Sequence, residues 1–452
     1  MENSFRVRVD LAAHDGPVRP LHGVNEGPMT KVFTYDARPE FKEIGIPLCR
    51  LHDTEYPFGS GEFVDIPCIF KNFDADENDP ESYNFGLTDL YIEKILEVGA
   101  EPNFRLGVSI EHAPVKRYVF PPKDFAKWAR ICEHIIRHYN EGWAGGHEWN
   151  LRWWEIWNEA DGGSNMWNGT PEQFYELYRV AACHLKSCFP DLLIGGCGWT
   201  RACNAFTEGF MKYISEREEQ VPLDFYSWHR YYDDLSKFLG EWKKSKVLLE
   251  RYGYPDALNV FDEWNYMRDW NDQPDSYVTL KNYKGAAFCA ATLAALQSLT
   301  DIAAATYFEG DVVKEWCGLF DVAEMSIGAH GRKATVKKLK PFYAFRYFGD
   351  LYRMGEAVKT EAEGEGIYAC AAISSEGKAG ILAANYTPEG RDTRVAFEVS
   401  SAERMPEVRI TDRTRTDRKI IIPDIERRDV KVSFTVRMPA HSFVLVTFPA
   451  GE

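Results

Sequence analysis

The chain has 452 residues, about three times the usual span of one domain, so a single small core is excluded. Its 53 Lys and Arg against 69 Asp and Glu leave a formal net charge of −16, and no basic patch offsets it, so no nucleic-acid partner is expected. Hydrophobic residues make up 45% and aromatics 14%, the composition of a folded, aromatic-rich globular protein; no run of 18 apolar residues occurs, so no membrane span is expected either.

The N-terminus is polar at once and then alternates through Phe5, Val7 and Val9, without the basic start and apolar core of a signal peptide. Of the ten cysteines, Cys49, Cys132, Cys183, Cys197, Cys289 and Cys370 sit inside apolar segments, and no C-x-x-C occurs. These features predict a reducing, cytoplasmic protein.

From about residue 20 to 350, short apolar runs alternate with helical patterns. The expected strands are Leu21–Asn25, Pro47–His52, Asn103–Gly107, Arg152–Asn158, Leu192–Gly196, Phe225–His229, Asn259–Glu263 and Ala303–Phe308. Phe125, Trp128, Ala129, Cys132, Ile135, Ile136 and Tyr139 form a helical stripe. Thr170-Pro171-Glu172-Gln173 reads as a capping box opening another helix. Eight strand–helix units fit an α/β fold of the (β/α)8 TIM-barrel type. The rival, a doubly wound open sheet, lacks a G-x-G-x-x-G after the first strand.

After residue 350 the period changes to two. Val430, Val432, Phe434 and Val436 alternate with polar residues, and Ile367–Ile373, Gly380–Asn385, Val395–Val399 and Phe443–Phe448 look similar. The expected organisation is an N-terminal strand (1–18) joining an accessory β-sandwich (351–452), with the catalytic barrel (19–350) between them.

In such barrels, reactive side chains stand at the C-terminal ends of strands. That selects Asn25 after strand 1, Arg50 and His52 after strand 2, Asn158 and Glu159 after strand 4, His229 and Tyr231 after strand 6, and Glu263 after strand 7. Glu159 and Glu263 lie on opposite sides of the mouth, as a carboxylic acid and a carboxylate must to cleave a glycosidic bond; ~5–5.5 Å between them gives retention and ~6.5–9.5 Å inversion. The competing Glu155 lies four residues, or ~13 Å, down its strand. Asp262, adjacent to Glu263, is expected on the other face of its strand.

His22-Gly23-Val24-Asn25, Arg50-Leu51-His52-Asp53, Trp157-Asn158-Glu159, Trp228-His229-Arg230-Tyr231 and Glu263-Trp264-Asn265 fall in order on five strands. Together they resemble glycoside hydrolase family 39, the β-xylosidase and α-L-iduronidase family of clan A. The resemblance implies Glu159 as general acid/base, Glu263 as nucleophile, and Asn158 as the hydrogen-bonding partner of the sugar 2-hydroxyl. Burial and nearby Glu263 should raise the pKa of Glu159, while Arg50 with Tyr231 or His229 should keep Glu263 ionised. His52 and His229 are read as hydroxyl-binding residues of the deepest subsite, with Asn25, Arg50 and Tyr231 beside them. Trp316 is expected to stack on the sugar, and Trp157, Trp228 and Trp264 are candidates for the same role.

The resemblance implies release of terminal sugars, β-D-xylosyl first, from a carbohydrate substrate; β-glucosidase, β-galactosidase, α-L-arabinosidase and endo-acting specificities stay open. Phe261-Asp262-Glu263-Trp264-Asn265 departs from the relatives that place Thr before and Phe after this Glu, which leaves the chemistry alone and opens the choice of sugar. No cofactor is implied, because two carboxylates and water suffice. A metal hydrolase would favour H-x-H or H-E-x-x-H, and neither occurs. A non-catalytic glycan-binding barrel would not need both Glu. Homo-oligomer formation is left open.

Overall fold

The computed structural model describes residues 5–30, 35–54, 62–328, 331–402 and 404–450. The expected long connection from Asp53 to Leu87 therefore includes residues, 55–61, that lie outside the described set, as do 329–330 in the connection after strand 8.

Eight parallel strands close into a barrel. In chain order they are Gly23–Asn25, Leu48–Arg50, Glu101–Leu106, Trp153–Ile156, Leu193–Trp199, Phe225–Tyr231, Leu258–Asn265 and Ala304–Tyr307, with the last pairing back onto the first through Thr306–Gly23 and Tyr307–Val24. Every expected barrel strand is present within a few residues. The predicted helical stripe becomes Phe125–Asn140, with Trp128, Ala129, Cys132, Ile135, Ile136 and Tyr139 buried and the Asp124 side chain capping its start. Thr170 forms the reciprocal capping box with Gln173 that opens helix Pro171–Cys188. All ten cysteines are free thiols, and among the described residues no helix is long and apolar enough to cross a membrane.

The remaining strands form a ten-stranded sheet ordered 418–420, 407–411, 442–448, 379–385, 367–373, 356–363, 5–17, 393–400, 431–438, 426–428. The sandwich expected from alternation is thus one curled, hydrogen-bonded sheet. It encloses its own core, in which Val7 and Val9 join Ile381, Phe397, Val408, Phe434 and Val446. Phe5–Pro17 runs antiparallel to Glu356–Glu363 and parallel to Thr393–Ser400, which places the chain's start in the interior of the sheet. Helices Tyr283–Leu299 and Lys340–Met354 lie between this sheet and the barrel. Tyr283–Leu299 is almost wholly buried, which explains its lack of an amphipathic stripe.

After strand 8 the chain makes a hairpin, Phe320–Gly328 with Gly331–Lys338, that alternation did not reveal.

Candidate active site

The strand ends are bent by left-handed backbone at non-glycine residues: Glu26 (φ 65°), Asp53 (φ 42°), Trp157 (φ 72°) and Glu159 (φ 47°). Such conformations cost of order 1–3 kcal/mol each and persist where surrounding structure holds them. After strand 4 this turn releases the chain from the sheet and leaves the Glu159 side chain 22% exposed at the mouth.

Arg50, wholly buried, organises the floor. Its Nε donates to Glu155 Oε2 at 2.6 Å, Nη1 to Glu263 Oε1 at 2.7 Å and to Asn25 Oδ1 at 3.1 Å, and Nη2 to Asn158 Oδ1 at 2.7 Å. All three nitrogens are engaged and the side chain is wholly buried, so Arg50 is committed to the floor of the site. Asn25 is equally committed, since its amide donates to the Asp262 carbonyl at 2.8 Å while its oxygen takes the Arg50 bond. Both residues support the site from below, not at the substrate position expected for them. Breaking a buried ion pair of this kind costs about 3–5 kcal/mol.

Glu263 receives Arg50 on Oε1 and the Tyr231 hydroxyl on Oε2 at 2.6 Å. His52 Nε2 stands 3.4 Å from Oε1 and His229 Nδ1 3.2 Å from Oε2. Burial opposes ionisation, but His229, His52, Arg50 and the Tyr231 hydroxyl outweigh it and hold the Glu263 carboxyl below its ordinary range.

His229 is fully buried, with Nδ1 2.7 Å from Glu159 Oε1 and Nε2 3.5 Å from Asp262 Oδ1. Burial disfavours its charge, yet Glu263, Asp262 and Glu159 raise its pKa well above the imidazole value. His229 joins the two glutamates and has no surface for a sugar hydroxyl. His52, nearly buried, is braced by Asp53 at 2.8 Å and abuts the Phe308 ring edge-on.

Asp262 does not point outward as alternation predicts. The pairing of strands 6 and 7 steps from Trp228–Phe261 to His229–Glu263, so Asp262 is the extra residue of a β-bulge. The bulge turns both acids inward, and Asp262 lies 3.2 Å from Arg50 Nε. Burial pushes neighbouring Glu155 up to about 7 against the pull of Arg50, with Asp262 adding to the rise.

Asn158 has its oxygen fixed by Arg50, which leaves its NH2 as the end able to donate. Tyr231 and half-buried Trp316 lie together at the rim with ring centroids 5.1 Å apart. Trp270, 53% exposed, completes the cluster at 5.6 Å from Tyr231 and 5.9 Å from Trp316. Strand ends gave no signal for Trp270, which stands in the connection after strand 7. Trp157, Trp228 and Trp264 are buried core residues and unavailable for stacking. His22 is also remote from the mouth, packed on Phe348 and Tyr352, and burial lowers it to about 3.

Beside Phe308 the floor is acidic. Glu309 is fully buried beside the Glu26 carboxyl. Lys314 Nζ lies 3.1 Å from Glu26 Oε1 and donates to the Asp53 carbonyl at 3.1 Å. Burial pushes Glu309 up to about 8 against Lys314, and drives Glu26 well up with Glu309 adding to the effect. Strand ends place Glu26 and Glu309 on the rim, but no recognisable spacing marks them in the sequence as one group.

Glu159, His229 and Glu263 bring three ligand-type atoms within 4.8 Å of one another. Arg50 and Tyr231 already occupy both oxygens of Glu263, so the set is a charge-balanced pair of carboxyls joined by an imidazole and not a vacant metal cage.

A closed parallel barrel with one glutamate from strand 4 facing another from strand 7 defines the class of protein. The model of the glycosyl hydrolases family 39 matches residues 47–296, and the chain belongs to that family. It is 26% identical over 342 residues to a β-xylosidase of Geobacillus stearothermophilus, 68% of this chain and 64% of that protein. It is 28% identical over 180 residues to a β-xylosidase of Caldicellulosiruptor saccharolyticus, 38% of this chain and 35% of that one. The chain thus spans less than two thirds of the curated relatives it matches. In fold, it superposes on a glucosidase from Croceicoccus marinus with a TM-score of 0.78 and 22% identity, over 99% of both chains.

Proposed function

We propose that this protein is a retaining glycoside hydrolase that removes terminal sugars, β-D-xylosyl first, from small glycosides or oligosaccharides. The observation that carries the reading is the approach of Glu159 and Glu263 to within 4.8 Å across the mouth. That spacing suits direct attack on the sugar and is too small for the intervening water of an inverting enzyme.

In the first displacement Glu263 attacks the anomeric carbon while the bond to the leaving oxygen breaks and Glu159 delivers a proton to that oxygen. In the second, Glu159 takes a proton from water, which attacks the same carbon and frees Glu263. Arg50 and Tyr231 hold Glu263 ionised and aimed, and the Asn158 NH2 is placed to meet the 2-hydroxyl. Trp316 and Trp270 offer apolar faces to the pyranose.

The names of the curated relatives favour xylose, and that of the superposed structure makes glucose the next sugar to offer.

The test is hydrolysis of 4-nitrophenyl β-D-xyloside followed by proton NMR. Release of β-xylose before its mutarotation is the expected result. Prompt α-xylose would remove the nucleophile role from Glu263. Absence of turnover on xyloside, glucoside, galactoside and arabinoside alike, with the protein folded, would overturn the exo-hydrolase reading and favour an endo-enzyme or a binding barrel.

A further inference from the structure

Two helices outside the barrel, Gly86–Glu97 and Phe125–Asn140, carry Asp89 in the first turn of one and His138 near the end of the other. The loop that follows turns through Gly142, Ala144 and Gly145, with φ of 69°, 56° and 69°, and delivers His147 to the same place. Gly146 permits this approach: a Cβ there would sit 2.1 Å from the His138 carbonyl oxygen and 2.5 Å from its Nδ1. The His147 backbone N–H donates to that carbonyl at 2.6 Å. Both rings are clamped, His138 stacked on Phe85 at 3.6 Å and His147 on Trp149 at 3.7 Å.

His138 Nδ1 lies 2.9 Å from the Trp143 carbonyl and so carries the proton that it donates there. Its Nε2 faces Asp89 Oδ1 at 3.1 Å, an oxygen that also accepts the Tyr139 hydroxyl at 3.0 Å, while His147 Nε2 stands 3.8 Å from the freer Asp89 Oδ2. An imidazole whose second N–H is held by a backbone carbonyl is oriented as metal-ligating histidines are. Ligands ~2.0–2.1 Å from a tetrahedral ion lie ~3.3 Å apart; the His138 edge, to Oδ1, is close to that spacing at 3.1 Å, and the His147 edge, to Oδ2, is longer at 3.8 Å. The three ligand atoms all fall within 4.8 Å of one another.

We propose that Asp89, His138 and His147 form a zinc site that ties these two helices to the loop after the second. Two imidazoles with one carboxylate suit a borderline first-row cation, whereas calcium and magnesium call for an oxygen cage. Asp89 and His147 are partly exposed, which gives the ion an entry path and a fourth position for water. The other outer group, Glu133, His184 and Cys188, is a poorer cage: Glu133 already takes Arg137 at 2.8 Å and His184 at 2.6 Å, and burial keeps the Cys188 thiol protonated.

The full chain, stripped with a chelator, is titrated with zinc sulfate by calorimetry and melted with and without the ion. The expected result is one zinc per chain, a melting temperature that climbs with zinc concentration, and at least a tenfold weaker affinity in both His147→Ala and Asp89→Asn. Cobalt(II) in place of zinc should give the visible absorption of a four-coordinate ion, lost in the same variants. Should one variant fail to fold, the other carries the reading. Zinc binding that is absent, or that survives undiminished in either folded variant and so belongs to Glu159–His229–Glu263 or Glu133–His184–Cys188, would overturn the assignment.

Discussion

The Tyr231 hydroxyl and the Arg50 guanidinium grip opposite oxygens of Glu263, and only the first can be deleted without stranding a buried charge. Tyr231→Phe removes a donor to a charged acceptor, worth about 1.5–3 kcal/mol, and so should raise the Glu263 pKa by about 1–2 units. Since this carboxyl is held below its ordinary range, kcat/KM in the parent should persist into acid, and the acid limb of the profile should move up by that amount in the variant. The two glutamates separate by leaving group. Glu263→Gln should abolish turnover of every glycoside. Glu159→Gln should cost about 10²–10⁴-fold on alkyl glycosides and much less on 4-nitrophenyl substrates, whose leaving group needs no proton. Stopped assays on both substrates read the difference. Glu309 makes a prediction about stability. Its folded pKa of about 8 exceeds the ordinary 4.5, so its contribution is fully present below about pH 4.5 and is lost as pH rises through 8. Glu309→Gln should flatten the decline in urea-unfolding free energy across that window, where one proton carries at most ~1.4 kcal/mol per pH unit.

At the residue scale, the sequence made Glu159 and Glu263 legible because strand ends are readable from apolar runs. Arg50 stands against Glu263 as expected, whereas Asn25 and His229, expected at sugar hydroxyls, are engaged by neighbouring groups of the floor. Spacing reports which side chains reach the mouth; whether their polar atoms are already saturated depends on five strands at once.

Among the elements, Thr170 offers the cleanest measurement. Thr170→Ala removes half of the box that starts Pro171–Cys188 and should destabilise the protein by about 1 kcal/mol with activity unchanged below the transition, read by thermal melting. Alternation located the strands whose one face is buried, such as Lys431–Met438, burial of which strictly alternates. It missed Glu356–Glu363, whose outer half is largely exposed and acidic, and the short polar edges Arg418–Ile420 and Glu426–Arg428. These strands exist because neighbours supply hydrogen bonds, a reason invisible in their own composition. The bulge at Asp262 belongs to the same class: one added residue breaks the two-residue period and brings a second acid into the floor.

For the whole molecule, the barrel and the curled sheet share buried helices, and Phe5–Pro17 sits between two strands of that sheet. Removing residues 1–17 should split it into two parts with four bare edges. The expected outcome is insoluble protein instead of an active barrel, checked by soluble yield and light scattering. Barrel and sheet were both legible because their hydrophobic periods differ. That the sheet is continuous was not, since no period records which strand lies beside which.

The placement of Phe5–Pro17 also sets an order in time. Its two partners begin at Glu356 and Thr393, so a ribosome adding about 5–20 residues per second delivers them roughly 20–70 s after the strand has left the exit tunnel. Through that interval Phe5, Val7 and Val9 have no core, while Arg6, Arg8 and Asp10 discourage pairing with other nascent chains. The barrel is complete in the emerging polypeptide before the sheet can close, which makes a segment translated ahead of the barrel among the last to be folded.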